Sequence, residues 1–454
     1  MNDHPAAAEL ESFLRGSASQ ETSRRIVRHL LAACSPCRAA LERMDWDRQR
    51  LEGLVSLVET SPEDLSGAVP GSADLYEQAF ENAWSACERE LAAPRSQREL
   101  RIPEDVGEAD WAHLEDPIGA EDLVPEPRLI RLLLERSHNA QHRDPGKMLY
   151  WARQARALGV RCNAAAAGGE ALLADLRSRA WGQFGNALRV AGRFREAARA
   201  FAAAERHRSA GTGDVRLRVE LLGCHASLCR FERQFEEAIA LLEEAEALCR
   251  ESGDTASLAR CLLQKAVAVL YSGEPEAAIR ILDRTITYIT PDDREMMFGA
   301  YHNLISCYVE AGRLQEALAL VPRTRNIGEG AQDELMVLRV AWQEGKILCE
   351  LGLLEEAEAQ FSRARDGFMD ADLAYEAALV SLDLTAVYVK LGLHAEVRRT
   401  IGDILPIFSS LRVGRELLAS LIQLQQAEDQ TQALQLIRAL SRELVAGPKL
   451  PPSV

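Results

Sequence analysis

Six segments of this chain carry the same short pattern, a turn residue followed five positions later by a small apolar one. They begin at Gly192, Arg233, Gly273, Gly312, Gly352 and Gly392, at intervals of 41, 40, 39, 40 and 40 residues. The flanks keep step. Seven positions before each start stands Gly185, Ala226, Ala266, Ile305, Gly345 or Thr385, and nine positions after it Phe201, Leu242, Leu282, Val321, Phe361 or Ile401. Small residues let two helices approach closely, and large apolar ones fill the seam between neighbouring hairpins. Each period therefore reads as a helix, a tight turn, a second helix and a longer loop. A period of this length is the mark of a stacked array, in which each unit buries its apolar face only against its neighbours.

The first unit, Trp181-x2-Phe184-Gly185-x2-Leu188, then Gly192, Ala197-x3-Phe201 and Ala204, resembles the tetratricopeptide repeat. The period here is some six residues longer than that family's, and Ser209 stands where its closing proline would be. A solenoid of another helical-repeat family is the alternative. The resemblance implies an all-α fold, a right-handed α-solenoid of helical hairpins, here preceded by a small helical module. The expected layout is a module at 1–58, an acidic proline-rich linker at 59–127, and capping helices at 128–177. Six repeats at 178–411, C-terminal capping helices at 412–447 and a tail at 448–454 complete it.

Such arrays resemble one another in holding extended peptides or helices along the face of the first helix of each pair. On that face the expected contact residues are Arg179, Gln183, Asn186, Arg260, Gln264, Asn303, Arg339, Gln343 and Lys346. Residues four and seven apart share a helical face, so Arg179, Gln183 and Asn186 point one way, as do Arg339, Gln343 and Lys346. A polar row of this kind suits a peptide backbone and a carboxylate; an ordinary solvated helix face is the other reading. The Lys–Asn pattern by which some tetratricopeptide proteins clamp a terminal carboxylate is not reproduced, since Gly182 and Gly223 occupy positions where Lys would be wanted.

The N-terminus has its own pattern. His29-Leu-Leu-Ala-Ala-Cys34-Ser-Pro-Cys37 follows a helical stretch, and His4 opens the chain. Two thiolates and two imidazoles are a common tetrahedral zinc set. Pro36 predicts that the helix ends near Ala33 or Cys34, which lets Cys34 swing back toward His29. The stretch resembles the small zinc domain of bacterial anti-sigma factors. That resemblance implies His4, His29, Cys34 and Cys37 as ligands, although four residues separate His29 and Cys34 where the family usually has three. An empty site and a redox dithiol are the alternatives. Cys224, His225 and Cys229 look metal-like, but the register assigns His225 and Cys229 to the seam. His138 and His142 lack a third ligand.

Composition narrows the function. The formal charge is −16, and residues 61–128 hold 17 acidic against 5 basic side chains, whereas 129–454 is nearly balanced. Acidic, proline-interrupted sequence reads as linker, with one candidate helix at 74–92. This distribution argues against nucleic acid as a partner. No apolar run of about 18 residues and no basic-then-apolar leader occurs, so neither membrane insertion nor export is expected, and a cytoplasmic location is. Phosphate-loop, dinucleotide, metalloprotease and nucleophile-elbow motifs are missing, and nothing supports catalysis. The expectation is a non-enzymatic scaffold or adaptor whose repeat groove binds a protein or peptide partner of unknown identity, with a module holding a structural zinc ion as a second interaction or regulatory element. An anti-sigma-like regulator that binds a sigma factor is the first alternative, and an accessory subunit of a larger effector or enzyme complex the second.

Overall fold

The computed structural model describes residues 4–14, 18–32, 34–44, 125–141, 145–330, 333–371, 373–410, 421, 424 and 429–446. The candidate helix at 74–92, His142, most of the linker and the tail lie outside them. Among the described residues every regular element is a helix. The chain divides into two compact units, one comprising 63–254 and the other 1–62 with 255–453.

In the first of these, α4 (Pro127–Ala140) and α5 (Pro145–Arg161) form a hairpin, the short α6 (Ala164–Ala167) follows, and two repeat hairpins complete it. They are α7 (Glu170–Val190) with α8 (Phe194–Ser209), and α9 (Val215–Phe231) with α10 (Phe235–Ser252). The segment expected to cap the array thus contributes a hairpin of its own. Its Leu129, Ile130, Leu133, Trp151 and Leu158 share one core with Leu173, Leu176 and Ala180 of α7.

The other unit stacks four repeat hairpins: α11 (Thr255–Tyr271) with α12 (Pro275–Ile286), α13 (Arg294–Glu310) with α14 (Leu314–Gly330), α15 (Glu334–Glu350) with α16 (Leu354–Asp370), and α17 (Ala374–Lys390) with α18 (His394–Ser410). A final helix, α19 (Gln430–Ala446), packs on α17. The N-terminal helices α1 (Ala7–Leu14), α2 (Gln20–Leu31) and α3 (Ser35–Arg43) belong to this unit too. Among the described residues the fold is all-α, each unit a stack of tetratricopeptide-like hairpins, with a small N-terminal helical module in the second.

The turns show how the sequence sets the hairpins. At five of the six repeat starts glycine is left-handed, with φ from 70° at Gly392 to 96° at Gly273. The next residue donates its N–H back to the carbonyl five positions earlier, as Leu353 does to Leu348 at 2.9 Å, so the first helix ends in a closed bonded loop. Arg233 adopts the same geometry at φ 61° without being glycine, and Gln234 still bonds Cys229 at 2.8 Å. The loop wins over the residue's preference, at a cost of about 1–2 kcal/mol. Aspartates start several first helices: Asp214, Asp293 and Asp333 each accept a backbone N–H from the opening turn.

The seam follows the expected pairing by size. A Cβ added to Gly185 would lie 2.8 Å from the Phe201 ring, and one added to Gly345 would lie 2.8 Å from Phe361. Where the small position holds Ala226 or Ala266, the large one is Leu242 or Leu282, and Ile305 faces a reduced Val321. Bulk on one helix is offset by its loss on the other, as a close-packed interior requires. Cys229 and His225 sit as the register assigned them: Cys229 is 2% exposed, and the His225 ring lies 6.0 Å from that of Phe201.

Candidate metal centre and first-helix face

The N-terminal module is three short helices held by few contacts of their own. Ser19 caps α2 by accepting the Thr22 N–H at 3.1 Å, and Arg25 on α2 pairs with Glu9 on α1. Helix α2 ends at Leu31, two residues earlier than the proline alone implies. The N–H of Cys34 then donates to the carbonyl of His29 at 3.0 Å, which turns the chain back over the last turn of the helix. Pro36 falls in the first turn of α3, where a missing N–H costs nothing. The helix break therefore places Cys34 next to His29 despite the four-residue spacing.

His4, ahead of α1, completes the group. Its Nδ1 lies 3.3 Å from Cys34 Sγ and 3.8 Å from Cys37 Sγ, and its ring meets that of His29 edge-on with centroids 5.2 Å apart. One ligand atom from each of His4, His29, Cys34 and Cys37 falls within 4.8 Å of all the others. Sulfur at about 2.3 Å and nitrogen at about 2.0 Å from a tetrahedral zinc would sit about 3.3–3.8 Å from one another. The observed spacings match that shell with slight slack, so the residues present fit a metal ion. His29 is 7% exposed and Cys37 2%. Burial first, then the neighbouring Cys34, pushes the Cys37 thiol up to about 12, and a cation in the group would favour the thiolate instead.

The module does not hang free. Leu10, Phe13, Ile26, Val27, Leu30, Cys37 and Leu41 share one apolar cluster with residues of α17 and α18, among them Leu379, Leu382, Ile401 and Ile404. Arg38 Nε donates to Asp403 Oδ1 at 2.5 Å, and its Nη2 to Oδ2, across 365 residues of sequence. Asp403 is 7% exposed, and its carboxyl is held above the usual range because burial outweighs the attraction of Arg38. No sequence signal marked either residue beyond the adjacency of Arg38 to Cys37. The acidic linker sets the module apart from the array in sequence, whereas these contacts make it part of the last hairpin's core.

The first-helix face differs between the two units. In the unit 63–254, the expected contact residues are engaged with their own scaffold. Arg179 pairs with Asp214 at 2.6 Å and with Glu220 at 2.8 Å, and Gln183 donates to Ser137 at 2.9 Å. Asn186 is buried, accepting from Arg189 and donating to Gln141. Glu220 occupies in α9 the register position that Arg179 has in α7, a pairing the repeat alignment already contained.

In the other unit the corresponding cations face no such acid. Arg260 on α11 is exposed and Arg339 on α15 is half-buried, and neither has an ion-pair partner among the described residues. The equivalent position of α13 between them is Gly299, and that of α17 is Leu379. Gln264 and Asn303 are half-buried. Gln343 donates to the His302 carbonyl at 2.9 Å and to Ser306 Oγ at 2.7 Å. Lys346 pairs with Asp383 at 2.9 Å and lies 4.8 Å above the Trp342 ring, whose Nε1 donates to the same carboxylate at 2.7 Å. His302, which the sequence reading missed, is pushed down to about 4 by burial first and then by Arg339, with Lys346 adding a smaller push and a bond to Asn303 opposing it. The face is thus a polar band with two guanidinium groups that no described residue neutralises and a neutral imidazole.

No protein-family model and no curated protein matches the chain. Solved structures do resemble it. A Rap protein complexed with competence and sporulation factor has 14% identity and a TM-score of 0.48 over 81% of this chain and 99% of that one. The apo quorum sensor NprR from B. thuringiensis has 13% identity and a TM-score of 0.43, over 81% and 94%. Nearly identical TPR-like repeats of a kinesin light chain from Podospora give 18%, 0.34, 46% and 98%. Identities and TM-scores this low transfer neither ligand nor partner. Among the described residues, no helix is long and apolar enough to cross a membrane.

Proposed function

We propose that this chain is a non-enzymatic protein-interaction adaptor. The first-helix face of the unit 255–453 takes an extended, carboxylate-bearing segment of a protein partner, and the N-terminal module carries a structural zinc ion. The observation that supports the peptide reading is the contrast within one register row. Arg179 is neutralised by Glu220 and Asp214, whereas Arg260 and Arg339 have no ion-pair partner among the described residues. A guanidinium without a carboxylate presents a planar fork of donors that matches a peptide carboxylate. Gln264 lies on the helix of Arg260 and Asn303 on α13 between the two cations, and both suit main-chain amides, whereas Gln343 already donates its amide to His302 and Ser306. Lys346 is occupied by Asp383 and serves to hold α15 to α17.

His4, His29, Cys34 and Cys37 would hold the zinc, which when bound supplies cross-linking between three short helices and no reaction. The module's apolar side is packed on α17 and α18, so that side is not offered to a sigma factor in this arrangement. The test is co-purification from the native cell with tagged full-length protein, comparing wild type with R260E/R339E and R179E. The proposal expects a specific partner that is lost with R260E/R339E. It fails if the partner survives that double reversal, or if R179E alone removes it.

A further inference from the structure

Cys37 belongs to two constructions at once. Its sulfur is one of the four candidate ligands, and its side chain lies inside the apolar cluster formed with α17 and α18. The next residue, Arg38, makes the two-pronged bond to Asp403 on α18. The residue a metal would grip and the residue that grips the last hairpin are therefore consecutive, both in the first turns of the nine-residue α3.

A helix of that length has no stability of its own in water. Its placement must come from what it is bonded to. On one side is the metal group, which ties it through Cys34 to the turn, through His29 to α2 and through His4 to the segment ahead of α1. On the other side are Asp403 and the apolar surface of the last hairpin. Arg38 reaches both oxygens of Asp403 from the α3 orientation seen here, and the quartet is what links α3 to α2 and to the segment ahead of α1.

Resting on the metal reading above, we infer that a thiophilic divalent ion in the quartet fastens the N-terminal module to the last hairpin. The end surface made by α17 and α18 is then an interaction surface whose partner is the chain's own metal-loaded module. Loss of the ion releases α3, breaks the Arg38–Asp403 pair and withdraws Cys37 and Leu41 from the apolar surface of α17 and α18. Coupling of this kind is reciprocal, so undocking must weaken metal binding by the same factor by which metal strengthens docking.

Two measurements on the full-length chain test this, with zinc alone as the probe. Hydrogen exchange is recorded with zinc bound and after chelation, following 35–43 and 394–410, with 215–252 of the other unit as the internal reference. Chelation is expected to raise exchange in both of the first two segments and leave the reference unchanged. Zinc affinity is then compared between wild type and D403R, whose substitution lies 365 residues from Arg38. The expected result is a loss of about tenfold, within the usual range for coupled sites. C34S/C37S, checked for helix content, should exchange like the chelated wild type even with zinc present. Bound zinc with unchanged exchange in 394–410, or D403R binding zinc as tightly as wild type, overturns the coupling and leaves the metal reading intact. Failure of the wild type to retain zinc overturns both.

Discussion

Single residues carry the sharpest tests of how the hairpins are made. Arg233 is the non-glycine in a left-handed turn, and the strain it bears exceeds the entropy that a glycine adds to the unfolded chain. R233G should therefore raise stability by about 0.5–1 kcal/mol, read as a shift in chemical denaturation. Gly345 is the opposite case. Alanine there gains about 1 kcal/mol of helix propensity but pushes a Cβ into Phe361, at a cost of about 1–3 kcal/mol. A net loss on the order of 1 kcal/mol is expected, and adding F361L should restore it by copying the Ala226–Leu242 pair. His302 gives the pH dependence. Its folded value, about 4, lies below the ordinary 6.5, so the unfolded chain binds its proton first as pH falls. Its contribution to stability is constant above about 6.5 and is lost between there and about 4. H302N should flatten that part of a stability-against-pH profile; an unchanged profile would show that His302 is not held neutral by Arg339 and its burial.

At the scale of elements, the N-caps show how local chemistry starts what packing completes. Asp333 accepts from both Leu335 and Met336 at the head of α15, and D333A should cost about 1 kcal/mol, measured by thermal unfolding. The hairpins themselves were legible in the sequence because most are specified locally: a glycine fixes the turn at five of the six starts, and in most units a small residue sixteen positions from a large one fixes the seam. Three of the four candidate ligands were legible for the same reason, since Cys-x2-Cys after a helical histidine is a short-range pattern, whereas His4 came from the anti-sigma resemblance. The docking of α1–α3 was not. Arg38 and Asp403 are ordinary charged residues whose meeting depends on where the whole array ends, and nothing periodic links them. The face residues were legible only by position. The register located Arg179, Arg260 and Arg339 in one row, but whether each guanidinium is neutralised depends on the neighbouring helix, and Glu220 decides it for Arg179 alone.

For the whole molecule, the distribution of roles is lopsided. The unit 63–254 uses its polar first-helix side chains to hold itself together, while the unit built from 1–62 and 255–453 keeps on that face cations that no described residue neutralises, and carries the module at its end. On the proposed reading this division, more than the net charge, decides where a partner would bind, because the charge of −16 is concentrated in the segment 61–128 and says little about the face. The account stands on a row of guanidinium groups that select a carboxylate. Selection of random peptides displayed against immobilised full-length protein, run in parallel on wild type and R260E/R339E, measures this most directly. The account predicts enrichment of Asp- and Glu-bearing peptides by the wild type, and its loss or inversion toward Lys and Arg in the variant. Enriched peptides without acidic residues, or the same acidic peptides from both proteins, would contradict it.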